Sequence, residues 1–199
     1  MGSNERGFTY PELLTTMAIW SLVLLITLPA AFSIMRRFKL RAAAGRMQGV
    51  LAEAREYALT SDNNCGVKFS LIDGRWHYAL YEDGNGNGIL NKDIASGVDR
   101  LVSGPTPVAD APVEVAIAPG MRDYDTNKPI PEAAQPVNFN NSTLCVFASS
   151  GSSTPGSLYL TAGAHYAAMV RSSGQSGRIR VAFYDYSRKG WEDCIFGCG

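Results

Sequence analysis

Net charge is the first thing this sequence lacks. Its 199 residues carry 18 basic and 18 acidic side chains, so the formal balance is zero. That excludes any global pull toward nucleic acid or anionic lipid. Histidine is nearly absent: His77 and His165 are far apart, and both sit beside aromatics in strand-like stretches, where packing or surface is the ordinary role. There is no Gly-x-Ser-x-Gly elbow, no His-Glu-x-x-His, no P-loop and no Rossmann glycine pattern. With no nucleophile–base constellation either, the expectation is that the chain is not an enzyme. No repeat at solenoid spacing is visible. The length fits one domain plus an anchor.

The most telling absence is local. From Leu13 to Met35 there is not one charged residue. As a helix that run is about 35 Å long, enough to cross a hydrocarbon core of roughly 30 Å. A single carboxylate, Glu12, stands at its outer end, and Gly7-Phe8-Thr9-Tyr10-Pro11 precedes it. A secretory signal peptide is one rival, but it needs a shorter apolar core and an Ala-x-Ala-like site, which Leu28-Pro29-Ala30-Ala31 does not offer cleanly. An ordinary single-span anchor is the other. Arg36, Arg37, Lys39, Arg41 and Arg46 follow the span and only Arg6 precedes it, so the positive-inside rule places the C-terminal part in the cytoplasm.

Gly7 through Glu12 and the run behind them resemble the type IV prepilin signature. The resemblance implies a leader over 1–7 and cutting after Gly7 by a prepilin peptidase. It implies N-methylation of Phe8, and retention of 8–35 as a transmembrane and filament-core helix. It gives Glu12 the role of the buried acid that meets the Phe8 amine of a neighbouring subunit. Pro29 lies where the family often kinks its helix. A carboxylate within a bilayer costs about 2.5–3.5 kcal/mol, so such a partner would offset a real penalty. The bland reading makes Glu12 an acid favoured near a helix N-terminus. The implied topology puts the head in the periplasm, against the positive-inside rule.

Past the span the pattern stays helical to about Thr60. Leu40, Ala43, Ala44, Met47, Val50, Leu51, Ala54 and Ala58 recur at three- and four-residue steps, so 36–60 reads as an amphipathic half whose stripe packs on a β-rich head, 61–199. Ser61-Asp62-Asn63-Asn64 ends the helix. Val67 to Leu71 and Trp76 to Leu80 alternate as strands around the turn Asp73-Gly74. Residues 95–136 read as surface loop with one short strand at Val113, Val115 and Ile117. Val137-Asn138-Phe139, Leu144 to Phe147, Leu158 to Leu160, Tyr166 to Val170 and Ile179 to Tyr186 read as further strands. The fold class is α+β: a long N-terminal helix on an antiparallel sheet or small sandwich.

Four cysteines, Cys65, Cys145, Cys194 and Cys198, suit disulfides in an oxidising compartment. Three pairings exist; the closeness of Cys194 and Cys198 favours that pair, leaving Cys65 with Cys145. Zinc lacks a second nearby Cys or His pair. Asp83, Asn85, Asn87 and Gly88 reproduce the first half of a calcium loop, with Asn91 at the ninth position. The match fails at Ile94, where a carboxylate is needed, and Asp93 is one residue early. A plain polar turn is the leading explanation, and no cofactor is expected beyond that calcium reading.

The C-terminal order is similar to the GspH/FimT group of minor pilins and pseudopilins. The carrying residues are Val137-Asn138-Phe139, Ser149-Ser150-Gly151-Ser152, Gly156-Ser157-Leu158-Tyr159-Leu160 and Gly177-Arg178-Ile179-Arg180-Val181. The resemblance implies a structural subunit of a type IV pilus or type II secretion pseudopilus. It would be held in the bacterial inner membrane, with other pilins, the peptidase and an assembly platform as partners. Some FimT-type pilins hold DNA for uptake through a Gly-Arg-x-Arg segment, so Arg178 and Arg180, with Arg171 nearby, are candidate DNA contacts. The competing view is an exposed strand face with solvated arginines.

Overall fold

In the computed structural model, residues 9–131 and 133–194 are described, with Pro29 and Ala30 as backbone only. Gly7, Phe8 and Cys198 lie outside them. The chain divides into two units, Met1–Met35 and Arg36–Gly199. Helix α1 spans Tyr10–Ser61. The Thr9 carbonyl accepts the N–H of Glu12 and Leu13, each at 3.1 Å. Pro11 falls in this first turn, where its missing N–H costs nothing.

The head is α+β. After α1 come β1 (Cys65–Ile72), β2 (Arg75–Glu82), α2 (Asn91–Ser96), β3 (Arg100–Pro107), β4 (Val137–Phe139), β5 (Leu144–Phe147), β6 (Gly156–Thr161), β7 (Ala167–Ser173), β8 (Arg178–Asp185) and β9 (Gly190–Asp193). They form two antiparallel sheets, ordered β3-β2-β1-β5 and β4-β6-β7-β8-β9. Asp73 and Gly74 both take positive φ, 49° and 74°, the two-residue hairpin turn whose twist matches the strands it joins.

All eight stripe residues of α1, Leu40 through Ala58, are buried in one core with Val67 and Phe69 of β1, Leu80 of β2, Phe139, Phe147, Leu158, Leu160, Val170 and Val181. Five of the eight are alanine or valine, which lets the helix sit close to both sheets. Phe69 and Phe139 stack across this core with centroids 5.8 Å apart.

The five-stranded sheet is covered on its other face as well. Tyr159, Met169, Ala182 and Tyr184 alternate with the core residues of β6, β7 and β8. They pack against Ala118 and Met121, with Tyr124, Ile130 and Trp191 at the edge. Thus the segment read as surface loop is in part a lid. Within it the strand expected at Val113, Val115 and Ile117 is reduced to one bridge, Glu114 with Thr161. The true strand of the region is β3, hidden in sequence because Gly104, Pro105 and Pro107 break its pattern. Proline suits it, since β3 is a sheet edge with little use for every N–H.

Candidate functional site

Two regions carry the chemistry, and the first is the helix start. Every described residue from Tyr10 to Leu28 is exposed, including Trp20 (68 %) and Leu25 (72 %). Among the described residues, α1 is the one helix long and apolar enough to cross a membrane, by length and composition. Its hydroxyls are satisfied internally: Thr15 and Thr16 donate to carbonyls three residues back, and Ser21 and Thr27 to those four back, at 2.8–3.0 Å. A hydroxyl bonded to its own helix's carbonyl tolerates hydrocarbon. Glu12 is exposed in the first turn.

Four of the five basic residues behind the span make local contacts. Lys39 Nζ donates to the Ala111 carbonyl at 3.0 Å and Arg46 to that of Val108 at 2.7 Å, pinning the 108–111 loop to the helix. Arg37 stacks over Tyr166 at 5.0 Å and Arg41 over Phe183 at 5.7 Å. A packing role thus accounts for much of the basic cluster without appeal to membrane orientation.

The second region is the polar loop after β2. Asp83 is buried. Its Oδ1 accepts the N–H of Asn85 and Gly86, and its Oδ2 that of Gly88 and the side chain of Asn64, at 2.6–3.1 Å. Burial pushes this carboxyl up, but the bonds from Asn64, Asn85, Gly88 and Gly86 outweigh it and hold it below its ordinary value. The other candidate ligands are committed elsewhere. Asn87 donates to Asp93 at 3.1 Å, and Asn91 accepts from Lys68 at 2.7 Å. Asp99, which the sequence reading missed, accepts from Gly84 and Leu90. Among the described residues no group of three or more His, Cys, Asp or Glu is placed to hold a metal. The loop as described is a turn closed by its own N–H groups around Asp83.

The expected Cys65–Cys145 disulfide is corrected: both are free, buried thiols. Cys65 pairs across the strands with Phe147, and Cys145 with Val67, so the two are diagonal. Diagonal neighbours lie about 7–8 Å apart, beyond disulfide reach. The helix end is tied to the sheet by other means. Tyr57 Oη donates to Glu82 at 3.1 Å, and Asn63 donates to Glu82 and to the Asp83 carbonyl. Arg100 completes this cluster at 3.1 Å from Glu82. Cys194 is disulfide-bonded.

Arg171 and Arg180 face each other across β7 and β8, with Arg178 opposite Ser173. The lid residues claim two of the three. Arg171 pairs with Asp125 and stacks on Tyr124 at 5.5 Å. Tyr124 Oη donates to Asp193 at 2.8 Å and also engages Arg180. Arg178 is exposed. No family model matches this chain, and comparison with curated proteins and with solved structures finds no match.

Proposed function

We propose that this chain is a type IV pilin-like subunit of the GspH/FimT kind, a minor pilin or pseudopilin with a pilin-type fold. It is built to be processed after Gly7, and assembled through α1 into a pilus or type II secretion pseudopilus. The observation that carries the reading is one contiguous stretch. Gly7-Phe8-Thr9-Tyr10-Pro11-Glu12 leads into an uncharged, exposed helical segment, and the same helix goes on to a stripe buried in the head. The described residues from Tyr10 to Leu28 are exposed; a bilayer and then sister helices would supply their cover. Its partners are then a prepilin peptidase, an assembly platform in the inner membrane and other pilins, with the head outside the cytoplasm. Mass spectrometry of the protein from its native host tests this. The expected N-terminus is Phe8 bearing one added methyl group; a chain that keeps Met1 overturns the reading and leaves an ordinary anchored β protein.

DNA uptake is the weaker alternative. Arg171 is paired with Asp125 and Arg178 is exposed, while neither Arg178 nor Arg180 has an ion pair among the described residues. One or two phosphate contacts give only weak, salt-sensitive binding.

A further inference from the structure

Of the four basic residues with local contacts behind the uncharged span, Arg37 and Arg41 are held by stacking. Neither makes a hydrogen bond or ion pair with the described residues; each is held only by an aromatic ring, Arg37 by Tyr166 and Arg41 by Phe183. Stacking fixes a guanidinium by its face and leaves its N–H edge free to meet a flat or tetrahedral oxyanion. Four residues apart on a helix, the two point the same way.

They line a cleft of about 480 Å³ together with His165, Tyr184 and Tyr186. Two acids, Asp185 and Glu192, also line it and share the single positive charge of Arg188, at 3.6 and 2.7 Å. With Arg37 and Arg41 counted, the cleft and its Arg188 rim carry one net positive charge in a chain of zero net charge. It also holds an orphan. The Tyr186 hydroxyl is buried and without a hydrogen-bond partner among the described residues. A buried donor left unpaired is costly, and a ligand oxygen would relieve it.

Arg37 and Arg41 follow Met35 by two and six residues, about 3 and 9 Å of helical rise. If 13–35 crosses a bilayer, that interval falls at the headgroups, where arginine and tyrosine concentrate. We propose that this cleft binds the phosphate of an anionic phospholipid headgroup, with Arg37 and Arg41 holding its oxygens and Tyr186 donating the third contact. The inference rests on the membrane-spanning part of the reading above, but not on processing or assembly.

The test uses the full chain in dodecyl maltoside, titrated with dihexanoyl phosphatidylglycerol, dihexanoyl phosphatidylcholine or inorganic phosphate and read by calorimetry. Phosphatidylglycerol is expected to saturate at one per chain and bind at least tenfold tighter than phosphatidylcholine. Tyr186→Phe, which removes only the hydroxyl, should weaken it several-fold; Arg37→Gln with Arg41→Gln should weaken it more than tenfold. Competition by inorganic phosphate supports recognition of the phosphate itself, and lack of competition supports recognition of the whole headgroup. Equal affinity for the two lipids overturns the proposal. So does full affinity in Tyr186→Phe and the double arginine variant alike, or binding of inorganic phosphate with phosphatidylglycerol excluded. An uncut N-terminus in a protein that still selects phosphatidylglycerol would sink the pilin reading and leave this one standing.

Discussion

Asp83 and Glu82 sit side by side where β2 ends, and both have carboxyls held below their ordinary values. For each, burial acts upward and is outweighed: by Tyr57, Asn63 and Arg100 at Glu82, and by the loop N–H groups and Asn64 at Asp83. A carboxyl whose folded value is depressed stabilises the fold above its unfolded value and loses that contribution as pH falls through the folded one. The head should therefore keep the full contribution of both groups above about pH 5 and lose it progressively below. Asp83→Asn should flatten that acid limb in pH-resolved thermal melts. Asp83→Ala, which strands several N–H groups, should cost about 3 kcal/mol at neutral pH, measured by urea titration. Gly84 is held by a different constraint: a Cβ there would lie 1.9 Å from the Val98 carbonyl oxygen, so Gly84→Ala should disrupt the same loop. The two free thiols give a separate readout. Burial pushes Cys65 and Cys145 up to about 12, so both should resist iodoacetamide at pH 8 in the folded protein and react once it unfolds.

At the level of elements, the second half of α1 is a core element of the head, which the three- and four-residue spacing of Leu40 to Ala58 made legible. Leu51 is fully buried, and Leu51→Ala should destabilise the head by about 3 kcal/mol, checked by near-UV dichroism against urea. The hairpin at Asp73-Gly74 and strands β4 and β5 were equally plain, because alternation and turn chemistry are local. What sequence could not reveal was set by distant partners. Edge strand β3 carries prolines that disguise it. The lid from Ala118 to Ile130 looks like loop because its apolar residues are irregularly spaced, yet they fill the outer face of β6, β7 and β8. The cysteine error had the same root: chain spacing could not foretell the diagonal register of β1 and β5. In the calcium-like loop the backbone donors around Asp83 form the polar turn that its Asp, Asn and Gly residues had suggested.

For the whole molecule, the zero net charge conceals local sorting: a helix segment with no charge, arginines that follow it directly in sequence, and Arg171 paired with Asp125 of the lid. Glu12 stands at the outer end of that uncharged segment, and in the pilin reading it meets the amine of a sister Phe8. Glu12→Leu should then leave the head folded and the chain membrane-bound while abolishing incorporation into filaments, scored by shearing and immunoblotting. Full incorporation of that variant would remove the reason for a buried acid there.

The sharing of α1 also dictates an order of events during synthesis. Its stripe from Leu40 to Ala58 leaves the ribosome early, whereas Leu158, Val170 and Val181, which enclose it, emerge well over a hundred residues later than its start. At about 5–20 residues per second, that greasy face waits on the order of ten seconds for its cover. Whatever receives the newborn chain must shield it for that interval, and truncations before β8 should aggregate rather than persist as smaller folded heads.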